Sequence, residues 1–136
     1  MSSINIKFNQ SIEITDVERI HDTHYIIRFG KDHYFKIYLS NEDICCEKFG
    51  IHVNYQKSPV FLTAIPLVGA RLNGLKIAQT ILNGKYHEKR DKGIILFTSI
   101  GIVFISVFNE HNSYYPHDFE ADLKTPEFST SIQERL

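Results

Sequence analysis

The chain has 136 residues, of which 43% are hydrophobic, and its 15 Lys and Arg residues nearly balance 16 Asp and Glu residues. This length and composition are typical of one globular domain and exclude a largely disordered chain. The net charge of -1 provides no general attraction for phosphates, so we expect no duplex nucleic acid among its partners.

The chain contains no run of about 18 apolar residues, so we expect no membrane span and no membrane partner. Its first five residues lack the basic and then apolar pattern of a signal peptide. We therefore expect a cytoplasmic protein, in the host cytoplasm if it is viral.

Apolar and polar residues alternate with a period of two near the N-terminus, which predicts strands at residues 4–8 and 12–14. Residues 23–29 and 33–39 flank a Gly-Lys-Asp turn at residues 30–32. This arrangement predicts a β-hairpin.

Asn41 can cap one helical turn that ends before Gly50, and residues 51–55 predict a short strand. The two glycines within residues 67–74 favour a loop with a helical turn. Residues 75–82 fit either a helix or a strand, and we favour a strand.

The stretch 85–92 is the most charged of the chain, and we interpret it as a solvated loop; the alternative is a mobile lid or a contact surface. The strongest strand patterns follow at residues 93–98 and 102–108, joined by a hairpin at 99–101. Residues 114–122 predict a last strand that is interrupted by Pro116.

These elements predict a mainly β fold, an antiparallel sheet of sandwich or barrel-like form with seven or eight short strands and minor helix. Residues 1–124 form a single β-rich domain in this interpretation. Residues 125–136 form a loosely ordered C-terminal tail, with one helical turn at 129–135.

The segment 109–118 combines hydrogen-bonding side chains with two tyrosines, whose ring faces can stack on a base. Basic residues elsewhere can contact phosphates. The candidate ligand-binding residues are Asn109, His111, Asn112, Tyr114, Tyr115, His117, Arg71 and Arg90. The alternative is a structural turn in which the tyrosine pair packs half-buried on the sheet.

The chemistry of metal sites and nucleophiles is only weakly indicated. His21 and His24 are three residues apart, so on a strand they point to opposite faces. His111, His117 and Asp118 can assemble a zinc site with a thiolate, but their spacing matches no strong metal motif. We predict no catalytic residue, no metal ligand and no cofactor.

Three motifs in order carry a resemblance: Cys45-Cys46-Glu47, Leu67-Val68-Gly69, and a strand pattern that ends in Asn112-Ser113-Tyr114-Tyr115. Over residues 12–122 the chain resembles a family of small uncharacterised phage and bacterial domains. That family has a Cys-Cys-Glu motif and a C-terminal Asn-Gly-Tyr-Tyr hairpin. Ser113 departs from the family's Gly. The resemblance implies a viral or prophage origin and a β-rich fold, and it adds no catalytic residue.

We therefore expect a non-enzymatic viral or phage-type binding protein that counteracts host defence by sequestering a small nucleotide-derived signalling ligand or a host protein. We also expect a homo-oligomer with exposed strands as the contact. The alternatives are a small metal-assisted hydrolase that uses His111, His117, Asp118 or Glu47, and a structural or protein-inhibitor module that docks through a sheet edge.

Overall fold

Ten strands in two antiparallel sheets make up this computed structural model, which describes residues 3–21, 23–40, 48–55, 67–83, 88–111 and 118–136. Sheet A has the strand order β1-β6-β7-β8-β5, and sheet B has the order β10-β9-β4-β3-β2. The strands are β1 Ile4–Glu13, β2 Asp16–Ile20, β3 His24–Arg28, β4 Tyr34–Leu39, β5 Lys48–Tyr55, β6 Arg71–Asn83, β7 Glu88–Thr98, β8 Gly101–His111, β9 Asp118–Lys124 and β10 Ser129–Arg135.

Alternate side chains of the two sheets meet in one apolar core. Because successive residues of a strand point to opposite faces, each strand contributes every second side chain to this core. Strand β4 shows the pattern clearly, since its inward residues are buried and Lys36 on its outward face is exposed. The buried side chains include Ile27, Phe35, Ile37, Ile94, Leu96, Val103, Ile105 and Phe119.

The predicted fold class is confirmed: the protein is mainly β and antiparallel, and the described strands form a sandwich that does not close into a barrel. The hairpins around residues 30–32 and 99–101 join β3 to β4 and β7 to β8, as predicted. Residues 75–82 lie in β6, which confirms the strand interpretation. The described residues contain no helix with the length and apolarity that a membrane crossing requires.

Strand β2 was not expected from the sequence, and β7 begins earlier than expected. Strand β2, Asp16–Ile20, is charged and lies at the edge of sheet B, where only one side of the strand is paired. Residues 88–92 belong to β7 rather than to a solvated loop. The loop prediction was wrong there because charge does not mean exposure in this stretch: the side chain of Lys92 is fully buried.

The C-terminal residues also differ from the expectation of a loosely ordered tail with a helical turn. Ser129–Arg135 form β10, which pairs residue by residue with β9. The tight turn before it is closed by a hydrogen bond of 2.7 Å from the Thr125 N–H to the Phe128 carbonyl. The polar side chains of residues 129–135 had suggested a tail. The strand forms nevertheless, because regular pairing with β9 satisfies the backbone N–H and C=O groups on one side of it. The helical turn predicted after Asn41 lies outside the described residues.

The two open sides of the sandwich are each bridged by one charged side chain. On one side, the guanidinium of Arg19 in β2 donates a hydrogen bond to the Ile51 carbonyl in β5. On the other side, the Glu127 carboxylate accepts hydrogen bonds from the amides of Asn9, at 3.1 Å, and Gln10, at 3.4 Å. These amides lie where the pairing of β1 with β6 shifts register. Both bridges therefore satisfy backbone groups of an edge strand.

Two glycines of sheet A provide a matched test of this packing. A Cβ atom on Gly74 would lie 2.5 Å from the Ile6 carbonyl oxygen, whereas a Cβ on Gly93 would meet nothing closer than 3.8 Å. We expect Gly74→Ala to lower the free energy of unfolding by about 1–3 kcal/mol, because backbone must move. Gly93→Ala should leave it unchanged or raise it by up to about 1 kcal/mol. Urea titration of both variants checks this; equal stabilities would contradict the close approach of β1 and β6.

Because of Tyr25, the free energy of unfolding depends on pH in the alkaline range. Burial raises the pKa of this phenol above its ordinary value of 10.0, and the nearby positive charge of Arg19 opposes the rise. The unfolded chain therefore ionises first as the pH increases, so the contribution of Tyr25 is present below pH 10.0 and is lost above it. We expect the difference in unfolding free energy between wild type and Tyr25→Phe to shrink from about pH 9 to 11. A constant difference over that range would contradict this.

Candidate functional site

The structure brings three of the candidate ligand-binding residues to adjacent strands of sheet A. Asn109 in β8 pairs directly with Arg90 in β7, and His111 pairs with Glu88 two positions further along. Four further candidates, Asn112, Tyr114, Tyr115 and His117, lie outside the described residues.

Arg71 is far from this group. It is the first residue of β6, whereas the β6 partner of Arg90 is Ile81, ten residues along the strand. At the usual rise of a strand, the two arginines are about 33 Å apart. The Arg71 guanidinium donates hydrogen bonds to the hydroxyl and the carbonyl of Ser11, at 2.8 and 2.7 Å. These hydrogen bonds connect β6 to β1. The structure therefore does not place Arg71 near Asn109.

Asn109 itself is fully buried. Its Nδ2 atom donates a hydrogen bond of 2.9 Å to the backbone oxygen of Leu136, which is buried as well. Asn109 therefore anchors the residue after β10 to the inner face of sheet A. This contact is structural and uses a donor that the sequence analysis had assigned to a ligand.

A buried ion pair lies beside Asn109 on the same inner face. The ammonium of Lys92 in β7 pairs with the carboxylate of Glu134 in β10, so the contact links the two sheets. The Lys92 nitrogen also lies 5.9 Å from the centre of the Phe119 ring. Among the described residues, Glu134 is the only ion-pair partner of Lys92. A buried ammonium needs such a partner, because removing a charge from water is costly.

Replacing one partner of the Lys92–Glu134 ion pair should strongly destabilise the protein. We expect Glu134→Gln to lower the free energy of unfolding by about 3 kcal/mol, because it leaves the Lys92 ammonium buried without a counter-charge. Combining Lys92→Met with Glu134→Leu should recover most of that loss. As a control, Glu18→Gln removes one carboxylate from the exposed Arg28 ion pairs and should cost less than about 1 kcal/mol. Urea unfolding measures wild type and these three variants; a double variant that is no more stable than Glu134→Gln would refute the coupling.

The outer face of sheet B carries an open polar groove. The groove has a volume of about 500 Å³. Strand pairing builds it from two rows that cross three strands. The first row consists of Glu120, Tyr38 and His24, and the second consists of Asp122, Lys36 and Ile26.

Aromatic rings form the centre of this groove. The imidazole of His24 and the phenol ring of Tyr38 have centroids 4.5 Å apart with an angle of 50° between their planes. The hydroxyl of Thr23 lies 3.1 Å from His24 Nδ1 and fixes one edge of the imidazole. Two tilted rings and the half-buried side chain of Ile26 give a planar ligand an apolar surface to lie on.

The charges around these rings are two carboxylates and one ammonium. Asp122 accepts a hydrogen bond of 2.5 Å from the Ser131 hydroxyl, and Glu120 accepts one of 3.2 Å from the Gln133 side chain. The Lys36 ammonium lies 4.3 Å from the centre of the Tyr34 ring. The contacts with β10 orient the two carboxylates, which keep further lone pairs for donors of a ligand.

Next to the groove, on the same outer face of sheet B, Arg28 in β3 is bonded to two acidic residues of the edge strand β2. Its guanidinium bonds to Glu18 at 2.6 Å and to Asp16 at 2.7 Å. The hydrogen bond that Arg28 donates to Glu18, followed by the one it donates to Asp16, raises the pKa of Arg28. Within the described ranges, no group of three or more His, Cys, Asp or Glu side chains is arranged to hold a metal ion.

Comparison with models of protein families, with curated proteins and with solved structures finds no match to this chain. The resemblance to phage and bacterial domains therefore stays a prediction from the motifs, of which Cys45-Cys46-Glu47 and Asn112-Ser113-Tyr114-Tyr115 lie outside the described residues.

Proposed function

We propose that this protein is a non-enzymatic binding protein that holds a small ligand with a nucleobase-like ring in the groove of sheet B. The observation that carries the proposal is the ring pair of His24 and Tyr38 with the carboxylates of Glu120 and Asp122 beside it. Binding sites for small molecules combine such an apolar surface with a few fixed polar groups.

The carboxylates favour a ring that carries amino groups. Asp and Glu accept hydrogen bonds from the exocyclic amine of a base, while aromatic side chains stack on its face. Uracil and thymine carry no exocyclic amine, so they fit this groove less well than adenine, guanine or cytosine. The ligand class that the groove fits best is therefore an amino-bearing base.

The charge balance of the groove also limits where phosphates would lie. Among the described residues that line it, Lys36 is the single cation, against the two acids Glu120 and Asp122. Because Lys36 pairs directly with Asp122 in β9 and with Ile26 in β3, a phosphate would be placed on the β3 side of Lys36, away from both carboxylates. The resemblance to phage domains adds the expectation that the ligand is a host signalling nucleotide, held intact rather than consumed.

Thermal unfolding in the presence of nucleosides and nucleotides tests the proposal. We expect an amino-bearing base to raise the melting temperature, because a ligand that binds only the folded state stabilises it. Tyr38→Ala should weaken binding by about 5- to 150-fold, the usual effect of losing one stacked ring, while Tyr38→Phe should retain most of it. Lys124→Ala, an exposed change on the same face outside the groove, is the control.

Mass spectrometry of the mixture after incubation completes the experiment. Recovery of the intact ligand supports sequestration, and conversion of the ligand would refute a non-enzymatic role. If no nucleoside or nucleotide stabilises the protein, or if Tyr38→Ala binds as well as wild type, the groove is not the site.

A further inference from the structure

A five-stranded sheet has two edges, and each edge strand presents backbone groups that no neighbouring strand satisfies. In this protein the edge strands are β1 and β5 in sheet A and β2 and β10 in sheet B. Proteins protect such edges against pairing with other chains by bulges, charges, short strands or capping side chains.

Three of the four edges carry such protection. In β1 the pairing register shifts between Lys7 and Ile12, and Glu127 caps two amides of that region. In β5 the carbonyl of Ile51 is capped by Arg19. Strand β2 is only five residues long and charged, and pairing with a second β2 about its central residue would place Glu18 opposite Glu18.

Strand β10 carries charged residues only at its end, Glu134 and Arg135, and the described residues show no bulge in it and no side chain that caps its edge. It is seven residues long, contains no proline, and pairs with β9 without a register shift. Its one acidic side chain, Glu134, points inward and is neutralised by Lys92. Among the described strands, β9 is the only one that pairs with β10, so within the part of the chain that the structure describes the other side of β10 is open.

The hydrogen-bonding pattern identifies which residues face that open side. Thr125 and Phe128 form a hydrogen-bonded pair at the turn, and in antiparallel strands such pairs alternate with pairs that are not hydrogen-bonded. The backbone groups of Thr130, Ile132 and Glu134 therefore bond to β9. The backbone groups that point to the open edge are those of Ser129, Ser131, Gln133 and Arg135.

We infer that the protein forms a symmetric dimer in which β10 pairs antiparallel with β10 of a second copy, about a two-fold axis at Ile132. This register places Ser131 opposite the partner's Gln133 and Ser129 opposite the partner's Arg135. Thr130 faces the partner's Glu134, and the two Ile132 side chains meet at the axis. In this register no two like charges are opposite each other, whereas pairing of two β2 strands would place Glu18 opposite Glu18. The backbone groups that point to the open edge are in register for hydrogen bonding with those of the partner.

The dimer joins two copies of sheet B into one continuous sheet. Glu120 and Asp122 are bonded to Gln133 and Ser131 of β10, so only β10 itself would separate each groove from the junction. This inference stands independently of the proposed ligand, because it depends only on the edge of β10.

A proline at position 131 tests the pairing directly. The Ser131 N–H points away from β9, so Ser131→Pro removes an outward donor without removing a hydrogen bond between β9 and β10. Ser131→Ala is the matched control, because it loses the same hydroxyl but keeps the N–H. Light scattering behind gel filtration should give twice 15.8 kDa for wild type and Ser131→Ala, and 15.8 kDa for a folded Ser131→Pro.

Charge at position 129 provides a second test that does not disturb the backbone. Ser129→Glu should tighten the dimer by opposing the partner's Arg135 with a negative charge, and Ser129→Arg should weaken it by like-charge repulsion. Because symmetry repeats each pair, we expect shifts of about 2- to 30-fold in the dissociation constant measured by sedimentation. A wild type that is monomeric at every concentration, a dimer that survives Ser131→Pro, or the reverse order at position 129 would overturn the inference.

Discussion

Burial of alternate side chains between two sheets is the constraint on which the rest of the molecule depends. The core consists of inward residues from both sheets, and a strand cannot turn one side chain inward without turning its neighbour outward. Placing Phe35 and Ile37 in the core therefore also places Tyr34, Lys36 and Tyr38 on the outer face of sheet B. The polar groove is a direct consequence of core packing, because the same strands supply both surfaces.

On the inner face of sheet A, two buried polar side chains continue the rows of apolar residues. Lys92 and Asn109 occupy positions that continue the inward rows of β7 and β8, and each contacts a residue at the end of sheet B. Both contacts satisfy a buried polar group and attach the C-terminal part of the chain to the opposite sheet. Stability and the position of β10 are therefore linked through two polar contacts and not through apolar area alone.

Local sequence patterns predicted the fold class and much of the strand content, because a period of two and the turn residues at Gly30 and Gly101 act over short distances. They did not predict β2 or β10, whose polarity reflects edge positions. They also did not predict the groove. The alternation of β4 places Tyr38 and Lys36 on one face, but Glu120 and Asp122 reach them only through the pairing of β4 with β9, and no local pattern determines that partner. For the same reason Arg71 was grouped with Arg90, although the register of β6 separates them.

The position of β9 has a consequence for how the chain acquires its structure. This strand lies between β4 and β10 in sheet B, yet about 80 residues separate it from β4 along the chain. Until β9 arrives, β4 is an unprotected edge, and the β2–β3–β4 meander exposes one apolar face. Closing so long a loop delays pairing, so we expect the contact between β4 and β9 to form late in folding.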